Sequence, residues 1–198
     1  MKTLLISAAL AATILPAAAS AQAIPGAVVA VVDLEKVTSE CNACKTANAA
    51  LRGQATALQN RQKALVGPLQ TEQKAIQAAI DALPQGKEPD AALKTRATAF
   101  QTKYQQAQEE VARSEQQIQR NQAYINQQVR DKLGPIYQQV MQRRGANIMV
   151  EAGTTLATAT TVDVSNDVLA ALNTAMPTLQ TTAPAQAAPA RQQQPQGR

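Results

Sequence analysis

The feature that most constrains the fold is an apolar recurrence every seven residues on both sides of a short segment that contains Pro and Gly. Such a recurrence is typical of helices that pack along a coiled-coil seam. It predicts one helix over residues 36–83, which would be about 70 Å long at 1.5 Å per residue. The two lines of seam positions are Val37, Cys44, Leu51, Leu58 and Leu65, and Cys41, Asn48, Ala55, Gln62, Leu69, Ile76 and Leu83.

Three polar residues, Asn48, Gln62 and Glu72, also fall at seam positions of this helix. Polar seam residues weaken the packing of helix against helix. We therefore expect arms that can splay apart. An assembly that simply tolerates weak seams would explain the same residues.

Residues 84–90 should end the first helix and reverse the chain. Asp90 is suited to cap a second helix, and residues 143–145 supply basic side chains and a Gly for its C-terminus. The repeat continues in this helix, which predicts an antiparallel hairpin with its tip at 84–90. Gly134-Pro135 should kink or restart the helix. The seam lines are Leu93, Phe100, Ala107 and Ser114, and Ala97, Tyr104, Val111, Ile118, Ile125, Val129, Leu133, Ile136 and Val140.

Both flanks of the hairpin carry strand signals. Residues 27–32 form an unbroken run of small and β-branched residues, which is typical of a buried strand. Ser165 is suited to cap a short helix over 166–172. The strand candidates after the hairpin are residues 147–151, 155–159 and 162–164.

The expected fold class is therefore α+β, with a hairpin arm over 36–144 inserted into a small β body. The body comprises residues 22–35 and 145–176. Three or four short strands without an aromatic residue bury too little surface to hold a long arm, so we expect an oligomer. After these residues, a segment rich in Thr, Pro, Ala and Gln predicts a disordered tail over 177–198.

The N-terminus is typical of a secretory signal peptide. Met1-Lys2 is a short positive start, an apolar run follows, and Ala19-Ser20-Ala21 is a small-residue cleavage signal. We expect cleavage after Ala21, while the frame at 21–23 would move the cut by two residues. An uncleaved anchor is disfavoured, because the run is shorter than the ~20 residues of a membrane span. The expected location is the periplasm.

Composition excludes several classes of function. The chain has no His and no Trp. Ser-His-Asp and Cys-His catalysis and His-ligated metal sites are therefore impossible. The carboxylate pair Glu109-Glu110 falls on a helix surface with no pocket implied, and we interpret it as solvating charge. We expect no catalytic residue, no cofactor site and no metal site.

Cys41 and Cys44 are the only cysteines, and three interpretations stay open. An exported protein meets an oxidising compartment, which favours a local disulfide. Two thiols facing the seam are the second interpretation. A redox or metal role is the third, although two thiolates alone leave zinc short of ligands.

The predicted arm carries 16 basic and 9 acidic residues, a net charge of +7, whereas the body is acidic. Two interpretations explain the positive charge of the arm equally well. One is a solvated helix surface, and the other is long-range attraction to anions. Under the second interpretation, acidic clients, lipopolysaccharide or an anionic membrane would contact basic side chains near the tip. Nucleic acid is not an expected partner outside the cytoplasm. The candidate contacts are Lys87, Lys94, Arg96 and Lys103.

The order of these parts resembles the OmpH/Skp family of periplasmic chaperones. The most specific pieces are V-V-D-L-E-K-V at residues 31–37, where the first helix begins, and V-D-V-S-N-D-V-L at 162–169. The resemblance implies a homotrimer whose hairpins surround a cavity. It also implies binding of unfolded outer-membrane β-barrel proteins without ATP. The Cys41-x-x-Cys44 pair and the tail depart from the family pattern.

A second hypothesis belongs to a different class. The chain could be a structural coiled-coil spacer or envelope tether that binds anionic surfaces through its basic arm. A spacer would not need its hairpin to return to a shared sheet, so the pattern favours the chaperone.

Overall fold

The computed structural model describes residues 26–185, so the predicted signal peptide and residues 186–198 lie outside the described residues. Strand β1 is followed by three helices, a second strand and a final helix. Two short 3₁₀ turns, Ala152–Thr154 and Thr160–Val162, connect the last strand to the last helix. The elements are β1 Val29–Val32, α1 Leu34–Glu40, α2 Asn42–Asp81, α3 Ala91–Arg144, β2 Ile148–Glu151 and α4 Ser165–Ala175.

Helices α2 and α3 form the antiparallel hairpin that the heptads predict, with 40 and 54 residues. The predicted cap at Asp90 is confirmed, because its carboxylate accepts a hydrogen bond of 2.7 Å from the backbone N–H of Leu93. Gly145 closes α3 with a φ of +66°, a left-handed conformation that Gly adopts without strain. Of the two outcomes expected at Gly134-Pro135, the restart is wrong, since α3 continues through Pro135.

The single helix predicted from residue 36 is also wrong, because the chain breaks at Cys41 between α1 and α2. No Gly or Pro lies there. The backbone N–H of Cys41 donates a hydrogen bond to the carbonyl of Val37, which ends α1. The N–H of Asn42, at the start of α2, donates to the side chain of Asn173 in α4 at 2.9 Å. The break is therefore stabilised by a distant helix.

The sheet consists of β1 and β2 in parallel, in register from Val29 opposite Ile148 to Val32 opposite Glu151. The side chain of Asn147 stabilises the end of the sheet where β1 and β2 begin. It accepts a hydrogen bond from the N–H of Val28 and donates one to the carbonyl of Gly26. These two strands are the only ones within residues 26–185. The strand predicted at 155–159 is wrong. Leu156, its one large apolar residue, is fully exposed, so the segment buries no apolar side chain that would hold it in a sheet.

The third candidate strand, at 162–164, makes only a single bridge from Asp163 to Val31. The carboxylate of Asp163 accepts hydrogen bonds from both the N–H and the hydroxyl of Ser165. Ser165 is thus not the predicted cap but the first residue of α4, and its Oγ accepts from the N–H of Asp33 at 2.8 Å. Hydrogen bonding by Ser165 lowers the pKa of the Asp163 carboxyl.

The main core lies at the base of the hairpin, where α1, the first turn of α2 and the end of α3 pack against β1 and α4. Val37, Val140, Val168 and Leu172 are fully buried there. A second, smaller cluster follows on the arm, formed by Ala47, Leu51 and Ile125. Asn48 is exposed rather than at the seam as predicted, because the helix that restarts after Cys41 presents Ala47 to α3.

The tail does not leave the body at residue 177 as expected. Leu179 packs against both apolar clusters. Side chains of α2 and α3 form hydrogen bonds to Gln180, Thr181 and Ala183. The tail is therefore held against the hairpin up to Ala183, because partners distant in sequence replace the core that its own composition lacks.

Candidate functional site

The candidate site is the outer part of the hairpin, residues 55–118, which we call the distal arm. Within it Ile76 is the only buried apolar residue. Val66 and Tyr104 remain 46% and 42% exposed. Two helices cover only one stripe of each other, so apolar residues outside that stripe stay in contact with solvent. Large apolar side chains in this state are available to bind another chain.

These side chains line a groove of about 440 Å³ between α2 and α3, which we call the arm groove. Polar groups, including Gln62 and Glu115, stand at its rim. Phe100 stacks on Tyr104 with ring centroids 6.1 Å apart, which holds the tyrosine ring at the groove. Its apolar wall comprises Leu65, Val66, Leu69, Tyr104, Ala107, Val111 and Ala112.

A proline lies inside α2 beside this groove. Pro68 has no N–H, so α2 lacks the hydrogen bond that residue 68 would donate to the carbonyl one turn earlier. Pro68 also lines a smaller groove of about 280 Å³ with Leu65, Leu69 and Lys103. The helix is thus weakened where its apolar residues are most open to solvent.

Two arginine–carboxylate pairs join the helices on either side of Pro68. Arg61 binds Glu110 with contacts of 2.5 and 3.2 Å, and Arg96 binds Glu72 with contacts of 2.7 and 2.9 Å. The hydrogen bonds from the arginines lower the pKa values of Glu110 and Glu72. Both pairs are solvent-exposed, so they set the register of the hairpin more than its stability.

The four basic residues predicted near the tip do not form one cluster. Arg96 is occupied by Glu72, and Lys94 pairs with Glu88 at 2.9 Å. Lys87 lines a tip groove of about 620 Å³ together with Arg96.

Lys103 lies further down the arm beside the 280 Å³ groove, and its charge also lowers the pKa of Glu72. Between residues 26 and 185, neither Lys87 nor Lys103 forms an ion pair. Of the four predicted contacts, these two are therefore the ones whose charge is not already paired with a carboxylate.

The two cysteines lie in the base, not on the arm. Their sulfur atoms are bonded as a disulfide across the break between α1 and α2. Both side chains are buried in the main core. No group of three or more candidate metal ligands occurs in the part of the chain that the structure describes.

Sequence reasoning missed a second set of polar residues, the amides that hold the tail. They are Gln54 in α2, and Asn121 and Gln128 in α3. Asn121 is 3% exposed. It lies seven residues after Ser114, so it continues a predicted seam line. A polar residue at a seam position was the signal from which a polar contact here could have been predicted.

Fold and site together define a class, an α+β protein whose terminal segments form a small body and whose long hairpin exposes an apolar groove. The sequence model of the family described as "Outer membrane protein (OmpH-like)" matches residues 28–172. The chain belongs to this OmpH-like family, which confirms the resemblance seen in the sequence.

A solved structure shares the fold. It is that of a proposed outer membrane chaperone (OmpH-like) from Caulobacter crescentus CB15, 20% identical in sequence, with a TM-score of 0.66. The alignment covers 80% of this chain and 89% of that protein. No curated protein sequence matches this chain. Within residues 26–185, no helix is both long enough and apolar enough to cross a membrane.

Proposed function

We propose that this protein is an ATP-independent holdase chaperone of the periplasm, which binds unfolded outer-membrane β-barrel proteins and prevents their aggregation. The observation that carries the proposal is the arm groove, a concave apolar surface outside the packed core. Unfolded chains expose apolar segments that such a surface can cover without sequence-specific contacts. Membership of the OmpH-like family supports a chaperone role.

We further propose that the working unit is a homotrimer built through the body. Val29 and Ile148, which face each other across the sheet, are 38% and 43% exposed. The outer edge of β2 has no partner strand within residues 26–185. Exposed apolar residues on a two-stranded sheet with an open edge are stabilised when copies of the chain cover them.

Charge supports a secondary role for the arm tip. Lys87 and Lys103, the two predicted tip contacts that form no ion pair within residues 26–185, would attract acidic clients, lipopolysaccharide or an anionic membrane surface. Such long-range attraction is screened by salt. The proposed periplasmic location is supported by the family and by the signal-peptide pattern of residues 1–21.

Light scattering tests the proposal. A urea-unfolded outer-membrane barrel protein is diluted into buffer with and without the chain from Gln22 onward, at low and at high salt. Suppressed scattering near three chains per client is the expected result. Loss of suppression at high salt would assign capture to the arm charges.

Two variants test the arm groove itself. V66S/Y104S replaces two exposed groove side chains and should weaken suppression several-fold. T71S/Q101S changes two exposed residues of the same helices outside the groove, and should behave as the unaltered protein. If the unaltered protein leaves scattering unchanged at every ratio, the holdase proposal is wrong and the envelope spacer becomes the better hypothesis.

A further inference from the structure

The tail occupies a second groove between α2 and α3, closer to the base than the arm groove. Gln128 forms two hydrogen bonds to the same tail residue, accepting from the N–H of Gln180 at 3.1 Å and donating to its carbonyl at 2.9 Å. Gln54 donates to the carbonyl of Thr181 at 3.2 Å. Asn121 accepts from the N–H of Ala183 at 2.8 Å. We call this surface the tail groove.

The tail groove binds the main chain of its occupant more than its side chains. Four backbone groups of the tail are held by three side-chain amides. The side-chain contacts are Leu179 against the apolar clusters and the hydroxyl of Tyr124 on Gln180. Because every peptide carries the same backbone donors and acceptors, this arrangement depends little on the sequence bound.

The occupant is non-helical and runs along α3. Gln180 and Ala183 are three residues apart, and they bind Gln128 and Asn121, which are seven residues apart in α3. The chain bends at Thr182 between these two contacts. Because α3 begins at the tip and ends at the base, a tail that passes from Gln128 to Asn121 runs toward the tip.

The tail groove continues beyond the residues that fill it. Thr182 borders an open stretch of about 490 Å³, lined by Leu58 and Ile118 and by the polar side chains of Arg61 and Gln117. The smaller groove that contains Pro68 begins one turn further along α2, at Ala64, and the Arg61–Glu110 pair lies between the two. The same side of the hairpin can thus accommodate a longer chain that runs from the base to the Arg61–Glu110 pair and the smaller groove of the distal arm.

We propose that the tail groove is a binding site for non-helical polypeptide, recognised through its main chain, and that residues 179–183 are its tethered competitor. This proposal rests on the proposed function in one respect, since it takes the competing ligand to be an unfolded client. The tethered tail has an effective concentration near the millimolar range. A free segment must displace it, so only a client that also contacts the arm enters the tail groove.

The competitor can be released without altering the groove. In the full chain, Q180P/A183P removes the two tail N–H donors that bind Gln128 and Asn121. T178P/A185P introduces the same number of prolines outside the bound residues and is the matched control. Q128A/Q180P/A183P also removes the groove amide that makes two bonds. Circular dichroism verifies that each variant keeps its helices.

The probe is a fluorescent synthetic peptide with the sequence of residues 177–185, measured by anisotropy, together with a scrambled peptide of the same composition. Q180P/A183P should bind both peptides at least tenfold more tightly than the unaltered protein and T178P/A185P do. The triple variant should lose that gain, and so should a peptide N-methylated at the positions of Gln180 and Ala183. Equal binding by the unaltered protein and Q180P/A183P, or tight binding of the methylated peptide, would overturn the proposal.

Light scattering on the same variants separates this proposal from the holdase proposal. The variants could bind the peptides as expected while none of them suppresses aggregation. That result would support the tail groove as a peptide-binding site and reject the holdase proposal. Suppression that is present but identical in all variants, with no peptide response, would reject the tethered competitor and keep the holdase.

Discussion

The base and the distal arm are built from the same two helices, yet they are stabilised in different ways. At the base, α4 and β1 close over the hairpin, and Val37, Val140, Val168 and Leu172 are completely buried. Along the distal arm, only the tail at Thr182 approaches the pair of helices within residues 26–185, and exposed arginine–carboxylate pairs replace the core. The comparison shows that two packed helices alone leave apolar surface exposed. That surface is buried only where α4 and β1 also pack against the hairpin.

The largest expected effect comes from matched Leu→Ala changes in the two regions. Leu172→Ala removes a side chain that is 0% exposed and should lower the free energy of unfolding by about 2–5 kcal/mol. Leu69→Ala, at a half-buried position of the arm, should lower it by less than about 1.5 kcal/mol. Urea denaturation at one protein concentration measures both. Equal losses would show that the distal arm has a core of its own.

Next in size is the disulfide at the break between α1 and α2. Opening a loop of four residues between Cys41 and Cys44 should destabilise the base by about 2 kcal/mol in the chain-entropy description. Urea unfolding and refolding with and without dithiothreitol measures the loss, and a thiol assay counts the free cysteines. C41A/C44A should show no response to the reductant. A dithiothreitol effect in that variant would assign the loss to another cause.

A smaller effect is expected at the start of α4, from Asp163→Ala. The variant removes the acceptor for both donors of Ser165, which should lower stability by about 0.5–2 kcal/mol near neutral pH. Because the folded pKa of Asp163 lies below its ordinary value, its contribution is fully present above about pH 4 and is lost as the pH falls through the folded pKa.

The gap in stability between the unaltered protein and Asp163→Ala should therefore close in acid. Urea denaturation from pH 3 to pH 7 measures it, with Asp81→Ala in the arm as a control for the loss of one carboxylate. A gap that stays constant down to pH 3 would show that ionisation of Asp163 does not stabilise the base.

The smallest effect should come from the distal pair Arg96–Glu72. A double-mutant cycle with R96Q and E72Q should give the weakest coupling of these tests, because both groups are exposed, and the coupling should fall further at high salt. Coupling as large as the effect of Asp163→Ala, or insensitive to salt, would show that the arm depends on this pair for its stability.

The hairpin was predictable because its signals are local. Seven-residue recurrence, the turn at 84–90, the cap at Asp90 and the Gly at 145 each act over a few residues. The break at Cys41 was not predictable in this way. Its stabilising acceptor is Asn173, 131 residues away, and no propensity at residue 41 signals it.

The candidate site shows the same division. Basic residues are visible in a sequence, but their partners are not, and Glu72 and Glu88 occupy two of the four predicted contacts. The tail was expected to be disordered because its own residues supply no core. Its order up to Ala183 depends on Gln54, Asn121 and Gln128, which only the folded hairpin brings together.

The parallel pairing of β1 with β2 also favours one order of folding, in which the hairpin forms before the sheet. Val28 and Asn147, which bond at the end of the sheet, are 119 residues apart. Closing a flexible loop of that length costs about 4 kcal/mol of chain entropy. A hairpin that has already formed brings β1 and β2 close to each other and avoids most of that cost. β1 is synthesised before β2 and remains unpaired until the hairpin has formed. A substitution that disrupts the turn at the tip, roughly 60 Å away, would therefore delay formation of the sheet.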